Sequence, residues 1–152
     1  LGILDKPYNF LTQPFAAKMV ILLGLLWRWT GYNMVFFLSG LQNIEYSVYE
    51  AAKIDGASAI QTFFKITVPL LKPTILLTAI MSTNGTLQLF DESVNLTDGG
   101  PANASISMSH YIYNLCFKYV PNFGYAAAMS FFILLLVAVL AFIQMRVGDK
   151  RD

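Results

Sequence analysis

A single cysteine, Cys116, and a single histidine, His110, are all that this chain offers for thiol or imidazole chemistry. One cysteine excludes an intrachain disulfide, and no second cysteine or histidine stands at metal-ligand spacing, so no metal site is expected. One histidine leaves no obvious Ser/His/Asp set, and a solitary His without a neighbouring carboxylate reads as an ordinary loop residue. Charge is scarce too. Only 12% of residues are charged, against about 25% in an average soluble domain. The basic residues form no cluster that follows a phosphate backbone, so nucleic acid is not an expected partner. No phosphate-binding loop is present, so any ATP must be bound by another chain. Asp91 and Glu92 are adjacent and on a helix point about 100° apart, which makes no acid/base pair. No catalytic residue is expected.

What the chain does have is apolar length. Hydrophobic residues make up 56% of its 152 positions, and the mean hydropathy is +0.55. That composition points to an integral membrane protein. It starts at Leu1 and has no basic segment followed by a short apolar core, so the expectation is no signal peptide and the C-terminal piece of a longer chain.

Three spans are expected. Residues 16–41 are long enough to tilt across roughly 30 Å of hydrocarbon. Lys18 can snorkel near the end of that span, but Arg28 lies well inside it, at a cost of about 2.5–3.5 kcal/mol. Arg28 either faces other helices or a headgroup defect, or lines a polar path; both readings stay open. Residues 74–92 are short and polar for a span. Residues 123–145 carry no charge, and Gly124 with Ala128 forms a small-xxx-small pair that lets another helix approach.

With three spans, the segment 42–73 and the tail after 145 fall on one side, and together they hold Lys53, Lys65, Lys72, Arg146, Lys150 and Arg151. The other side has Lys6, Lys118 and, at the span edge, Lys18. The positive-inside rule places 42–73 and the C-terminus in the cytoplasm, and residues 93–121 outside it.

Between the first two spans the chain turns charged, glycine-broken and proline-closed. Apolar positions from Ile44 to Ile54 keep helical spacing. Gly56 follows Asp55 where a helix end needs a left-handed residue. Ser58 can cap a second short helix through Phe63, Phe64 and Ile66, and Pro69 and Pro73 lead into the next span. The result is a helix–turn–helix elbow over 44–73. Its small and charged residues suit a protein partner, or it is an interfacial connector with no partner.

The stretch EAAKIDGAS followed by FFKITVPLLKP resembles the signature of binding-protein-dependent ABC importer permeases, in which EAA, three residues and Gly precede Ile-x-Leu-Pro. Glu50, Ala51, Ala52, Gly56, Ile66 and Pro69 match, with Val68 in place of the usual Leu. WRWTGYNMVFFLSGLQNIEYSVYEAA, LFDESVNLTDGGPANAS and FGYAAAMSFFILLL are similar to carbohydrate permeases, the maltose-type and glycerol-phosphate-type first subunit above all. Glu45 stands where Pro is common, and Asp98 where Gly is common.

The resemblance implies an all-α integral membrane fold, a partial MetI-like permease of the multi-pass inner cell membrane, with three of about six spans present. It implies that Glu50, Ala51, Ala52, Asp55, Gly56 and Ala57 couple to an ATP-binding ABC subunit. The other implied partners are a second permease subunit, an extracytoplasmic solute-binding protein, a sugar substrate and membrane lipid, with no cofactor of its own. Alternatives from other classes are a small membrane interaction or regulatory protein and a motor-free channel using the same elbow.

In the second span Asn84, Gln88 and Asp91 fall at i, i+4 and i+7 and are expected to share a helix face, with Thr78, Ser82 and Gly85 as a smaller polar strip. Amides offer donors and acceptors to sugar hydroxyls, and Phe90 offers a flat surface to a sugar ring. Asn84, Gln88 and Phe90 are therefore candidates for a substrate path. The other reading is interhelical glue, worth about 0.6 kcal/mol per bond on average.

Overall fold

The structure, a computed structural model, describes residues 10–148, all of its regular structure helical. Lys6, Lys150 and Arg151, counted in the charge bias above, lie outside the described residues.

A 3-10 turn, Phe10–Thr12, precedes α1 (Pro14–Gln42). Pro14 opens that helix, where its missing N–H forfeits no intrahelical bond. At the far end the helix tightens, Asn43 N–H donating to Gly40 and Ile44 N–H to Leu41. α7 (Phe123–Gly148) is the other long helix. These two are long and apolar enough to cross a membrane, and they contain the expected spans 16–41 and 123–145.

The segment expected as the second span is arranged differently. α5 (Lys72–Leu87) has 16 residues, a rise of about 24 Å, less than the hydrocarbon thickness. It joins the helical stretch Ala59–Leu70 across a 64° bend, and together they make a third, broken span candidate. The helix does not continue to 92. Gln88 N–H still reaches Asn84, but Leu89 N–H turns to Thr86, and Leu89 and Phe90 leave the helix. Asn84, Gly85 and Thr86 are poor at continuing it, because Gly adds backbone entropy and Asn and Thr have competing local bonds. Asp91 therefore does not share a continuous helix face with Asn84 and Gln88.

Two compact units divide the chain. One comprises 10–28 and Asn84–Ala138, the other Trp29–Thr83 and 139–148. In the first, α1 buries Ala17, Ile21 and Leu25, spaced four apart on one face. α6 (Met108–Tyr113) and the π-helical segments Ser93–Thr97 and Asn114–Lys118 supply Ser93, His110, Asn114 and Leu115 to the interior. In the second unit, α2 (Tyr46–Ile54) and α3 (Ala59–Thr62) flank a turn, and a π-helical segment, Phe63–Thr67, runs into α4 (Val68–Leu70). A Cβ on Gly40 of α1 would sit 2.8 Å from Thr74 Oγ1 and 2.9 Å from Leu71 Cδ2, so glycine sets how closely α1 meets the start of α5.

Candidate functional site

The elbow has the expected form, and its geometry is fixed mostly by backbone. α2 begins at Tyr46, later than Ile44, because Glu45 is extended (φ −60, ψ 135). The Glu45 carboxylate accepts from Ser47 Oγ at 3.2 Å and caps no backbone N–H. At the other end Gly56 has φ +75. Ala57 N–H donates to Ala52 O at 3.0 Å and Gly56 N–H to Lys53 O at 3.1 Å, the paired bonds of a Schellman stop. Ser58 then caps α3 with a reciprocal pair: Gln61 N–H donates to Ser58 Oγ, and Ser58 N–H donates to Gln61 Oε1.

Those caps leave the side chains outward. Glu50, Ala51, Lys53, Asp55 and Gly56 are exposed, Ala57 is half-buried and Ala52 is buried. Ile54 is 86% and Ile60 72% exposed. Apolar groups this open, among small and charged residues on a rigid turn, form a surface suited to a protein partner.

At the end of α5 the polar residues divide into two groups. Ser82 and Asn33 exchange two bonds, Nδ2 to Oγ at 3.1 Å and Oγ to Oδ1 at 3.3 Å. Gln144 Nε2 donates to Thr83 Oγ1 at 2.8 Å, and Thr78 donates back to Thr74 and Ile75 carbonyls. These residues join helices or satisfy themselves. Asn84 and Gln88 differ: among the described residues neither side chain makes a hydrogen bond. Gln88 lines a cleft of about 490 Å³ with Ser109, Ser130 and the apolar Ile133, Leu134 and Val137. Phe90 is not in that lining. Its ring meets His110 edge-on at 6.2 Å and Tyr113 at 5.4 Å between centroids. Ser109 and Ser130 were missed in sequence because only folding brings them to Gln88.

Arg28 and Glu92 form an ion pair, Nη1 to Oε1 at 2.9 Å. Its charge is answered inside the first unit, by a carboxylate on a facing element. Gly24, one turn earlier, faces Leu96 in the same way.

The loop after Gln88 overturns the reading of His110 as an ordinary loop residue. His110 is 1% exposed and Ser93 0%. Ser93 Oγ lies 2.9 Å from the Ser105 carbonyl and 2.9 Å from His110 Nδ1, and it accepts from Ser107 N–H at 3.1 Å. The carbonyl can only accept, so the hydroxyl proton goes there and Nδ1 carries hydrogen. Nε2 is then the bare nitrogen, buried without a hydrogen bond and 3.8 Å from Asp98 Oδ1. Burial holds His110 below its ordinary pKa, Lys118 adds to that, and Asp98 opposes it. Asp98, at φ +45, is a left-handed residue where glycine would be easier. Lys118 Nζ bonds it at 2.8 Å, holding its carboxyl below the usual range. A serine, a histidine and an aspartate thus do come together, contrary to expectation. The serine is sealed and its proton committed, so the set acts as a structural latch. The isolated His among Ser105, Ser107 and Ser109 was the available signal, with Ser107 capping α6 through His110 N–H.

The description "binding-protein-dependent transport system inner membrane component" matches residues 7–151. The lactose transport system permease protein LacF of Rhizobium radiobacter is 54% identical over 153 residues, 99% of this chain and 51% of that protein. The trehalose/maltose transport system permease protein MalF of Thermococcus litoralis is 36% identical over 146 residues, 96% of this chain and 49% of that protein. A solved bacterial ABC transporter involved in importing the acidic polysaccharide alginate superposes with a TM-score of 0.79 at 24% identity, over 94% of this chain and 50% of that one. That likeness concerns the fold. This chain spans about half the length of these two relatives.

Proposed function

This chain belongs to the family of binding-protein-dependent transport system inner membrane components, and from that premise we propose that it works as a permease subunit of an ABC sugar importer. It performs no chemistry of its own. It contributes part of the substrate path and couples that path to ATP hydrolysis in a separate subunit. The observation that carries this reading is the elbow: a backbone-capped turn presenting Glu50, Ala51, Asp55 and Gly56 outward, with Ala52 and Ala57 beneath. Its stiffness suits transmission of movement, because the helix ends on both sides of the turn are capped by bonds within the elbow itself.

The elbow faces the cytoplasm, where the ATP-binding subunit docks, and residues 93–121 face the solute-binding protein. A second permease subunit and lipid cover the apolar faces of α1 and α7. Sugar is the substrate class, supported by the relatives' carbohydrate permeases and by the unengaged amides of Asn84 and Gln88. Gln88 is the foremost path residue, because it lines the cleft with two serines. Asn84 stands one turn away. Phe90 acts from behind, holding the segment that follows Gln88.

Gln88→Leu in the assembled transporter tests the path. If Gln88 bonds substrate, sugar uptake weakens about two- to tenfold, the effect of one hydrogen bond of about 0.5–1.5 kcal/mol, or sugar preference changes. Melting of the detergent-solubilised complex stays as it was. A lower melting temperature with sugar preference untouched would assign Gln88 to helix packing.

A further inference from the structure

The elbow must do more than bind its partner; its displacement has to reach a membrane helix. The described contacts supply one side-chain route. Tyr49 stands on α2, one residue before Glu50, and is half-buried where Glu50 and Ala51 are exposed. Its hydroxyl lies 3.3 Å from Thr67 Oγ1, at the end of the π-helical segment Phe63–Thr67. Thr67 is 6% exposed, and its hydroxyl also reaches the Thr62 carbonyl at 3.5 Å. That carbonyl can only accept, so the arrangement that makes both bonds has Thr67 donating to Thr62 and Tyr49 donating to Thr67.

We propose that Tyr49 is a positioning residue for coupling: its bond to Thr67 is the strut that carries movement of α2 into α5 and α1. Three features put it there. Along the backbone, movement of α2 reaches the π segment only by way of the turn at Gly56 and the whole of α3. The bond spans 18 residues and bypasses that glycine. Four residues beyond Thr67, Leu71 is buried and begins the 64° bend into α5, and it packs with Thr74 against Gly40 of α1. A push on α2 therefore arrives at a junction where two membrane helices are in close contact. The π-helical turn Phe63–Thr67 supports this role, because such turns are frequent at functional sites.

This inference rests on the importer reading, and its test separates the two. Tyr49→Phe keeps the ring and removes only the hydroxyl. In the assembled transporter the ATP-binding subunit still co-purifies with the variant, because no exposed elbow residue has changed. Coupling loosens: ATP hydrolysed per sugar delivered rises about two- to tenfold, the range one hydrogen bond can set. Thr67→Val, which also frees the Thr62 carbonyl, gives at least that rise, and the double variant gives no more than Thr67→Val alone, since the Tyr49 bond is already gone. A merely structural role would lower the melting temperature and leave the ATP-to-sugar ratio alone. A native ratio in Tyr49→Phe, or additive effects in the double variant, overturns the strut. Failure of the unaltered permease to retain an ATP-binding subunit overturns the importer reading instead.

Discussion

The two connectors of this chain, the elbow before α5 and the loop after it, use the same local parts to opposite ends. Each has a left-handed turn, Gly56 in one and Asp98–Gly99 in the other. Each has a serine cap, Ser58 and Ser107, and each contains π-helical turns. The elbow buries little besides Ala52, Thr67 and Leu71 and turns its charges and isoleucines outward. The loop draws its polar groups inward, with Ser93, Ser105, His110 and Asn114 buried. Backbone capping shapes a connector while leaving its side chains for a partner; a buried side-chain network shapes one that is complete in itself.

Breaking the loop's network has the largest expected effect on stability. Ser93→Ala strands the Ser105 carbonyl, the Ser107 N–H and His110 Nδ1 together, costing about 1–3 kcal/mol. Limited proteolysis between residues 98 and 107 should speed up accordingly, with retention of the ATP-binding subunit unchanged. The matching change in the elbow, Ser58→Ala, removes one cap and costs about 1 kcal/mol. Hydrogen exchange should rise over 58–62 alone. If it rose across the whole elbow, the two helix ends would not be independently capped.

A smaller effect separates the connectors by pH. His110 is held below its ordinary value of 6.5, so between its folded and ordinary pKa the unfolded loop binds a proton that the folded loop refuses. Its contribution to loop stability is fully present above about 6.5 and falls as pH drops through that window. Asp98 behaves alike in a lower window, its carboxyl being held below 3.8 by Lys118. Loop proteolysis should therefore accelerate on mild acidification, and His110→Asn should flatten the response. Elbow exchange, corrected for intrinsic rates, should show no matching step.

The same contrast explains what was legible in the sequence. The elbow was readable because its determinants are local: Gly56, Ser58 and Pro69 each act on backbone within a few residues. The two uncharged or nearly uncharged long spans were readable from apolar length alone. The loop was not, because Ser93 and His110 meet across 17 residues and look like ordinary polar loop positions until folded. The Arg28–Glu92 pair spans a still longer stretch, so its arginine could be recognised as costly but not assigned a partner. The end of α5 was misread because Asn84, Gln88 and Asp91 fit a helical spacing that the backbone abandons after Leu87. Of the path candidates, Gln88 faces a cleft and Phe90 does not; that distinction needs coordinates.

The claim at the centre is that the elbow's turn is a docking surface for a separate ATP-binding subunit. Gly56→Val addresses it most directly, because a β-branched residue at φ +75 costs about 1–2 kcal/mol locally and reshapes the turn without entering a membrane helix. In the assembled transporter the variant should insert into the membrane normally, keep its loop protected from protease, and lose the ATP-binding subunit on purification along with sugar-stimulated ATP hydrolysis. Native retention of that subunit and native stimulation in Gly56→Val would contradict the account.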